Sequence, residues 1–250
     1  PLPKFKVDLL VLFRDPKSAI NMVPVIMSKG GIIPTSIEFM DKLSCQTSCE
    51  YLNEHLPYHE AGAMLLIEVD GSENDVNKQI DKVAEICAAC RSREVKVAKD
   101  AAEAAQLWAG RRSAFGALCA NSRTVFVEDA TVPRSKVPDI VKRIQEIARK
   151  YDLVIPILGH TGDGNMHPNI LTDEHNEEEM KRVEAAIDEM FEAALALGGT
   201  LSGEHGIGLV KQKYMSWQFG EEGLAFMRSI KKAVDPNNIL NPGKMALAEK

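Results

Sequence analysis

Along the chain, apolar runs of strand length alternate with stretches whose apolar residues recur every three or four positions, the two periods that separate strands from helices. Residues 5–13 are rich in strand formers, Asp15-Pro16 opens a helical run to Lys29, and Gly30-Gly31 ends it. Residues 32–37 then predict a second strand, 39–54 a helix, 63–69 a nearly continuous apolar strand, and 95–98 a short strand after a helix that Gly71-Ser72 caps and that runs to about Cys90. Beyond a long helical stretch at 101–120 a similar order returns. It gives a strand at 125–128, a helix from about 135 to 150, strands at 153–158 and 166–171, a helix at 176–197 and a short strand at 200–202. Two consecutive βαββαβ units, about 1–100 and 122–203, predict an α+β fold of paired ferredoxin-like layers, with antiparallel sheet covered by helices on one face. No low-complexity linker divides the halves, so they are expected to form one compact unit.

Composition narrows the function classes. The 250 residues carry 30 basic and 36 acidic side chains, a net charge of −6, which is the wrong sign for a chain that neutralises phosphates over a large surface. Nucleic acid is therefore not an expected partner, and no apolar stretch approaches the roughly 20 residues that span a bilayer. Position 1 is Pro and no signal peptide follows, so the chain reads as part of something longer. Five cysteines are too few and too odd a set for a secreted disulfide framework, which points to a cytoplasmic setting. Cys87-Ala88-Ala89-Cys90 matches a redox spacing, but it lies deep in a helical stretch rather than at a helix start, where the dipole lowers a thiol pKa. Inert, buried thiols are expected there and at Cys45 and Cys49.

Two glycine-rich segments concentrate the chemistry. In the first, residues 159–169, Asp163-Gly164 stands between apolar runs and predicts a two-residue hairpin turn that sets His160 opposite His167. Opposed side chains on one sheet face lie about 4.5–5.5 Å apart at Cβ, within reach of a shared metal ion. A lone strand histidine is more often a hydrogen-bonded core residue, which is the plainer alternative. The second segment, residues 198–208, holds five glycines around Glu204-His205, as befits backbone that must approach a ligand closely. Glu204 offers the carboxylate of a His/His/Glu set, and His205 is left as an acid or base near neutral pH. Neither H-E-x-x-H, G-x-G-x-x-G after a strand, nor Walker A occurs, so zinc protease and nucleotide-cradle readings lack support. Arg111, in the segment Trp108-Ala109-Gly110-Arg111-Arg112, suits an anionic substrate or else a solvated helix face.

The strings GHTGDGNMHPN, GGTLSGEHGIGLVK and DPNNILNPGK, with GGIIPTSIEFMD, WAGRRSAF and EDATVPRSKVPDIV before them, resemble the C-terminal portion of FAD-linked oxidases of the vanillyl-alcohol-oxidase type. The likeness is greatest to the flavin subunit of glycolate oxidase and its D-lactate and D-2-hydroxyglutarate dehydrogenase relatives, and it spans nearly the whole chain. It implies a substrate-binding cap and C-terminal segment over residues 1–250, with an N-terminal FAD-binding domain absent from this chain. It implies further that His160, His167 and Glu204 bind a divalent metal (Zn, Mn or Fe), that His205 takes the hydroxyl proton, that Arg111 grips the substrate carboxylate, and that Asn165 and Asn241 lie near the flavin or substrate.

The activity so implied is oxidation of a 2-hydroxy acid to the 2-oxo acid, with hydride transfer to FAD. Phe115 and Val127 stand where the hydroxyglutarate enzymes place Thr and Lys, which favours a short monocarboxylic acid, glycolate or D-lactate. An iron–sulfur or electron-transfer flavoprotein subunit is the implied partner, with any membrane association peripheral and through that partner. A non-catalytic docking module with structural histidines is the competing expectation.

Overall fold

The computed structural model describes residues 3–54, 56–90 and 92–247. The first half runs β1 (Phe5–Phe13), α1 (Pro16–Ser28), β2 (Ser36–Asp41), α2 (Lys42–Leu52), β3 (Ala63–Gly71), α3 (Glu73–Ala89) and β4 (Glu94–Val97). A connecting helix, α4 (Ala101–Asn121), leads to β5 (Thr124–Val127), β6 (Ala130–Thr131), α5 (Val137–Lys150), β7 (Ile157–His160), β8 (Asn165–Thr172), α6 (Glu177–Ala196) and α7 (Met215–Val234). Asp15, Asp41, Ser72, Asp100 and Asn176 each accept from the amide three residues on, which satisfies donors that a helix start leaves unpaired.

Among the described residues, all strands join one eight-stranded sheet of antiparallel neighbours, in the order β4-β1-β3-β2-β7-β8-β5, with β6 also on β8. The order β4-β1-β3-β2 is one ferredoxin-like unit. The second repeats it as β6-β8-β7, with Thr200 bridging Thr131 outside β6. β2 and β7, the corresponding edges of the two units, pair with each other, so neither is left as an open template for another chain.

Side-chain alternation then decides where a site can form. One face of the sheet carries Leu9, Val11, Phe13, Ile37, Phe39, Ile157, Met166 and Ile170, buried under α1, α3, α5 and α6. The other face carries Leu10, Leu12, Met40, Met64, Leu66 and Leu158, and α2 and α4 cover it over the first half. Helices thus lie on both faces, not one as the element order predicts, because β1 and β3 are apolar at consecutive positions and must be covered twice. In the second half the same face turns polar, with Asn165, His167 and Asn169 alternating with Met166 and Ile170.

Several predicted boundaries move for local reasons. The strand expected at 32–37 begins at Ser36, since Pro34 has no N–H to give, and it runs on to Asp41, the cap of α2. The strand expected at 153–158 is cut by Pro156 to Ile157–His160, leaving Val154 a single bridge to Leu171. The strand expected at 200–202 is one bridge at Thr200. The helix α7, which periodicity did not reveal, is broken at Gly220, where φ is 62° and ψ 174°.

Cys45, Cys49 and Cys87 are buried, and burial pushes the Cys49 thiol to about 11 and the Cys87 thiol to about 12. Among the described residues no helix is long and apolar enough to cross a membrane.

Candidate metal and substrate site

The hairpin that carries both histidines closes with a four-residue turn, not the two-residue turn expected from Asp163-Gly164. His160 pairs with Asn165 and Leu158 with His167. The longer turn follows from a side contact: the Thr161 hydroxyl and the Gly162 N–H both donate to the Ile37 carbonyl of β2, at 2.8 and 3.2 Å. Gly164 returns the chain at φ 83°, and a Cβ there would lie 2.2 Å from the Val132 carbonyl. A slip of two residues preserves side-chain parity, so His160 and His167 still share the open face as diagonal neighbours. Their ring centroids are 5.2 Å apart.

Glu204 reaches this pair from the loop after α6. Its Oε1 is 3.2 Å from His160 Nε2 and 2.9 Å from His167 Nε2, and Asn165 Nδ2 donates to the same oxygen at 3.2 Å. The other nitrogen of each ring is already engaged. His160 Nδ1 donates to Glu38 Oε1 at 2.7 Å, and His167 Nδ1 points at the Glu128 carbonyl at 3.4 Å. With each ring in its Nδ1–H form, both Nε2 lone pairs face a carboxylate oxygen, an arrangement that repels unless a cation lies between; the Glu38 hydrogen bond raises the His160 pKa, so a proton on that ring relieves it too. Three such donors, each about 2.0–2.2 Å from a shared ion, fit Zn²⁺ or a similar divalent metal. Burial lowers the His167 pKa, as do its His160 and His205 neighbours, and this keeps the ring neutral and ready to ligate.

The loop that carries Glu204 is anchored on a single buried oxygen. Asp129 is fully buried, and its Oδ2 accepts from the Ser202 hydroxyl at 2.6 Å and from the amides of Gly203, Glu204 and His205 at 2.9, 3.1 and 2.9 Å. Burial alone would raise its pKa. The Ser202 hydroxyl, the His205 and Glu204 amides and the nearby Lys211 outweigh it and hold the carboxyl well below its usual range. β5 and β6 pair with β8 in one continuous offset, Val127 with Asn169 and Ala130 with Met166, which sets Asp129 across from His167. Gly203 must be glycine for close approach, since a Cβ there would lie 2.3 Å from Thr131 Oγ1 and 2.8 Å from Asn165 Nδ2.

Beside the cluster, a cavity of about 420 Å³ is lined by Arg111, Phe115, Val127, Leu158, His160, His167, Asn169 and His205. Arg111 is not on a solvated helix face. Its Nε and Nη2 donate to Glu38 Oε2 at 2.9 and 2.8 Å, and both side chains are largely buried. The ring of His205 stacks on His167 and remains solvent-accessible. Asn165 is buried and held between Thr131 and Glu204, whereas Asn241 is exposed in the tail, in a left-handed conformation with φ 47°, and lines neither cavity nor cluster. Sequence reasoning missed Glu38 and the anchoring role of Asp129. The signal for Glu38 was an acid inside the apolar run Ile37-Glu38-Phe39-Met40, since carboxylates are almost never fully buried unless paired.

The family model described as "FAD linked oxidases, C-terminal domain" matches residues 2–245. The chain belongs to that family. It is 43% identical over 245 residues to the glycolate oxidase subunit GlcD of Bacillus subtilis, covering 98% of this chain and 52% of that one. It is 36% identical over 244 residues to the Escherichia coli K12 glycolate oxidase subunit GlcD, covering 98% and 48%. A D-lactate dehydrogenase of Anaerostipes hadrus is 30% identical over 252 residues, covering 98% and 53%. The chain thus spans about half the length of these curated relatives.

The same fold is seen in 4-ethylphenol oxidase from Gulosibacter chungangensis, at 13% identity and a TM-score of 0.71, covering all of this chain and 55% of that one. Substrate-bound p-cresol methylhydroxylase gives 18% identity and a TM-score of 0.68, covering 98% and 53%.

Proposed function

We propose that this chain is the substrate- and metal-binding half of a flavin-dependent enzyme that oxidises a short 2-hydroxy acid, glycolate or D-lactate, to the 2-oxo acid. The observation that carries this reading is the convergence of His160 Nε2, His167 Nε2 and Glu204 Oε1 beside a cavity lined by Arg111 and His205. When bound, a divalent metal at the three donors supplies Lewis acidity toward the substrate oxygens, and FAD, held by the half of the relatives that this chain does not span, supplies the hydride acceptor.

This chain's own residues do the rest. The free N–H groups of Arg111 bind the substrate carboxylate, with Glu38 holding the other edge of the guanidinium. His205 accepts the hydroxyl proton, and its exposed ring can pass that proton to water. Phe115, Val127 and Leu158 make much of the remaining wall apolar and offer nothing to a second carboxylate, which supports a monocarboxylic substrate; Asn169 is a polar side chain beside them.

Two features support an assembly larger than this chain. The Bacillus and Escherichia relatives are both named as subunits, and α7 and the tail expose Phe226, Ile230, Val234, Ile239 and Leu240, a larger set of apolar side chains than scattered surface positions explain. We assign that surface to the flavin-carrying half, and reoxidation to an iron–sulfur or electron-transfer flavoprotein partner.

Anaerobic mixing of the full-length protein with candidate acids tests the reading. Glycolate or D-lactate should bleach the flavin faster than D-2-hydroxyglutarate. A flavin that no 2-hydroxy acid reduces contradicts it.

A further inference from the structure

Glu38 lies at the joint between the two ferredoxin-like units, where β2 pairs with β7 and Glu38 stands opposite His160. It is only 5% exposed, and its two oxygens serve different neighbours. Oε1 takes the His160 Nδ1–H at 2.7 Å, while Oε2 takes Nε and Nη2 of Arg111 at 2.9 and 2.8 Å. One buried carboxylate therefore touches both the ligand cluster and the anion-binding arginine.

We propose that Glu38 is a positioning residue that couples the metal site to substrate-carboxylate recognition. By accepting at Nδ1, it fixes the His160 tautomer whose Nε2 lone pair faces His167 and Glu204. By occupying the Nε/Nη2 edge of Arg111, it leaves only the remaining N–H groups for the substrate. This rests on the metal and substrate reading given above. Its chemistry is general: a ligating imidazole whose second nitrogen is held by a carboxylate is oriented and made more basic, and loss of such a partner costs 10–100-fold in metal affinity or activity.

The two obligations of Glu38 separate in its variants. In Glu38→Gln the amide keeps one acceptor and gains a donor group. The acceptor satisfies Arg111, whose two N–H groups converge on one oxygen, so the new NH₂ faces His160 and favours the ring tautomer protonated at Nε2, which cannot ligate. Glu38→Ala releases both neighbours.

The test uses the full-length protein. The ring tautomer of His160 is read by ¹⁵N–¹H correlation in the metal-free state, zinc affinity by competition with a chelator, and KM for glycolate or D-lactate at saturating zinc. Wild type should show His160 protonated at Nδ1. Glu38→Gln should shift that proton to Nε2 and weaken zinc binding 10–100-fold with little change in KM, and Glu38→Ala should also raise KM. A merely structural role would move neither the tautomer nor the split between the two variants.

Glu38→Gln that keeps both the wild-type tautomer and zinc affinity overturns the proposal, and so does an equal loss of zinc and substrate binding in both variants. Should Glu38→Ala fail to fold, Glu38→Gln alone still decides the tautomer and the zinc affinity. A wild-type protein that takes no zinc contradicts the metal reading itself, and the ring tautomer then still decides whether Glu38 holds His160.

Discussion

His205 stacks face to face on His167, with ring centroids 4.9 Å apart and planes 11° from parallel. The stack holds a third imidazole at the cavity, outside the set formed by His160, His167 and Glu204. On the function proposed above, neighbouring residues of one loop take different roles, Glu204 as a ligand and His205 as a base.

That separation has a measurable form. His205→Asn should leave the metal in place and slow flavin reduction by the 10²–10⁴-fold characteristic of general acid–base catalysis, read by rapid mixing alongside metal content. Glu204→Gln should instead weaken metal retention, because an amide oxygen is a poorer ligand than a carboxylate. The opposite pattern would exchange the two roles and move the ion to Asp129, His167 and His205, whose ligand atoms also lie within 4.8 Å of one another.

Asp129 gives a prediction about stability and placement together. Its Oδ2 collects a hydroxyl and three successive amides, and an amide side chain in its place has a weaker acceptor and a donor that the surroundings cannot use. Asp129→Asn should cost about 1–3 kcal/mol in urea unfolding, the usual penalty for stranding buried polar groups. The same variant should loosen metal binding, since Glu204 rides on the loop that Asp129 anchors. Unchanged unfolding and unchanged metal affinity would show that the loop holds its shape without the carboxylate.

Much of this arrangement is legible in the sequence, and the failures have physical causes. Period two in β8 correctly places His167 on the polar face with Asn165, and parity rescues the His160 pairing even though the turn is longer than Asp163-Gly164 suggests. Turn length escaped because it is set by Thr161 and Gly162 bonding to Ile37, a partner more than a hundred residues away in sequence. Glu38 escaped for the same reason, as its meaning lies in a strand pairing between two units. The helix α7 escaped because Gly220 and Gly223 interrupt its period and many of its apolar residues face outward.

Asp8 provides a pH dependence remote from the site. It is buried under α4, with Trp108 Nε1 donating to it at 2.7 Å. Burial raises its pKa, and the Trp108 bond only partly offsets this. A carboxyl with a folded pKa above its unfolded one binds protons more readily in the folded state, so its contribution to stability is fullest below the ordinary carboxylate range and declines as pH rises through it. Asp8→Asn keeps an acceptor for Trp108 and cannot ionise. Unfolding followed by Trp108 fluorescence should show this variant more stable than wild type at neutral pH and no more stable at the acid end. A difference that does not vary with pH would show that Asp8 has the same pKa in the folded and unfolded states.

The most direct test of the metal site is the metal content of the full-length flavoprotein after purification and dialysis, compared with His167→Ala and Glu204→Gln made in the same way. His160, His167 and Glu204 should together hold about one divalent ion per chain. Each variant should lose most of it while keeping its flavin. A wild-type protein that holds no divalent metal and takes up none when zinc or manganese is added, or variants that keep the full wild-type complement, would contradict the assignment.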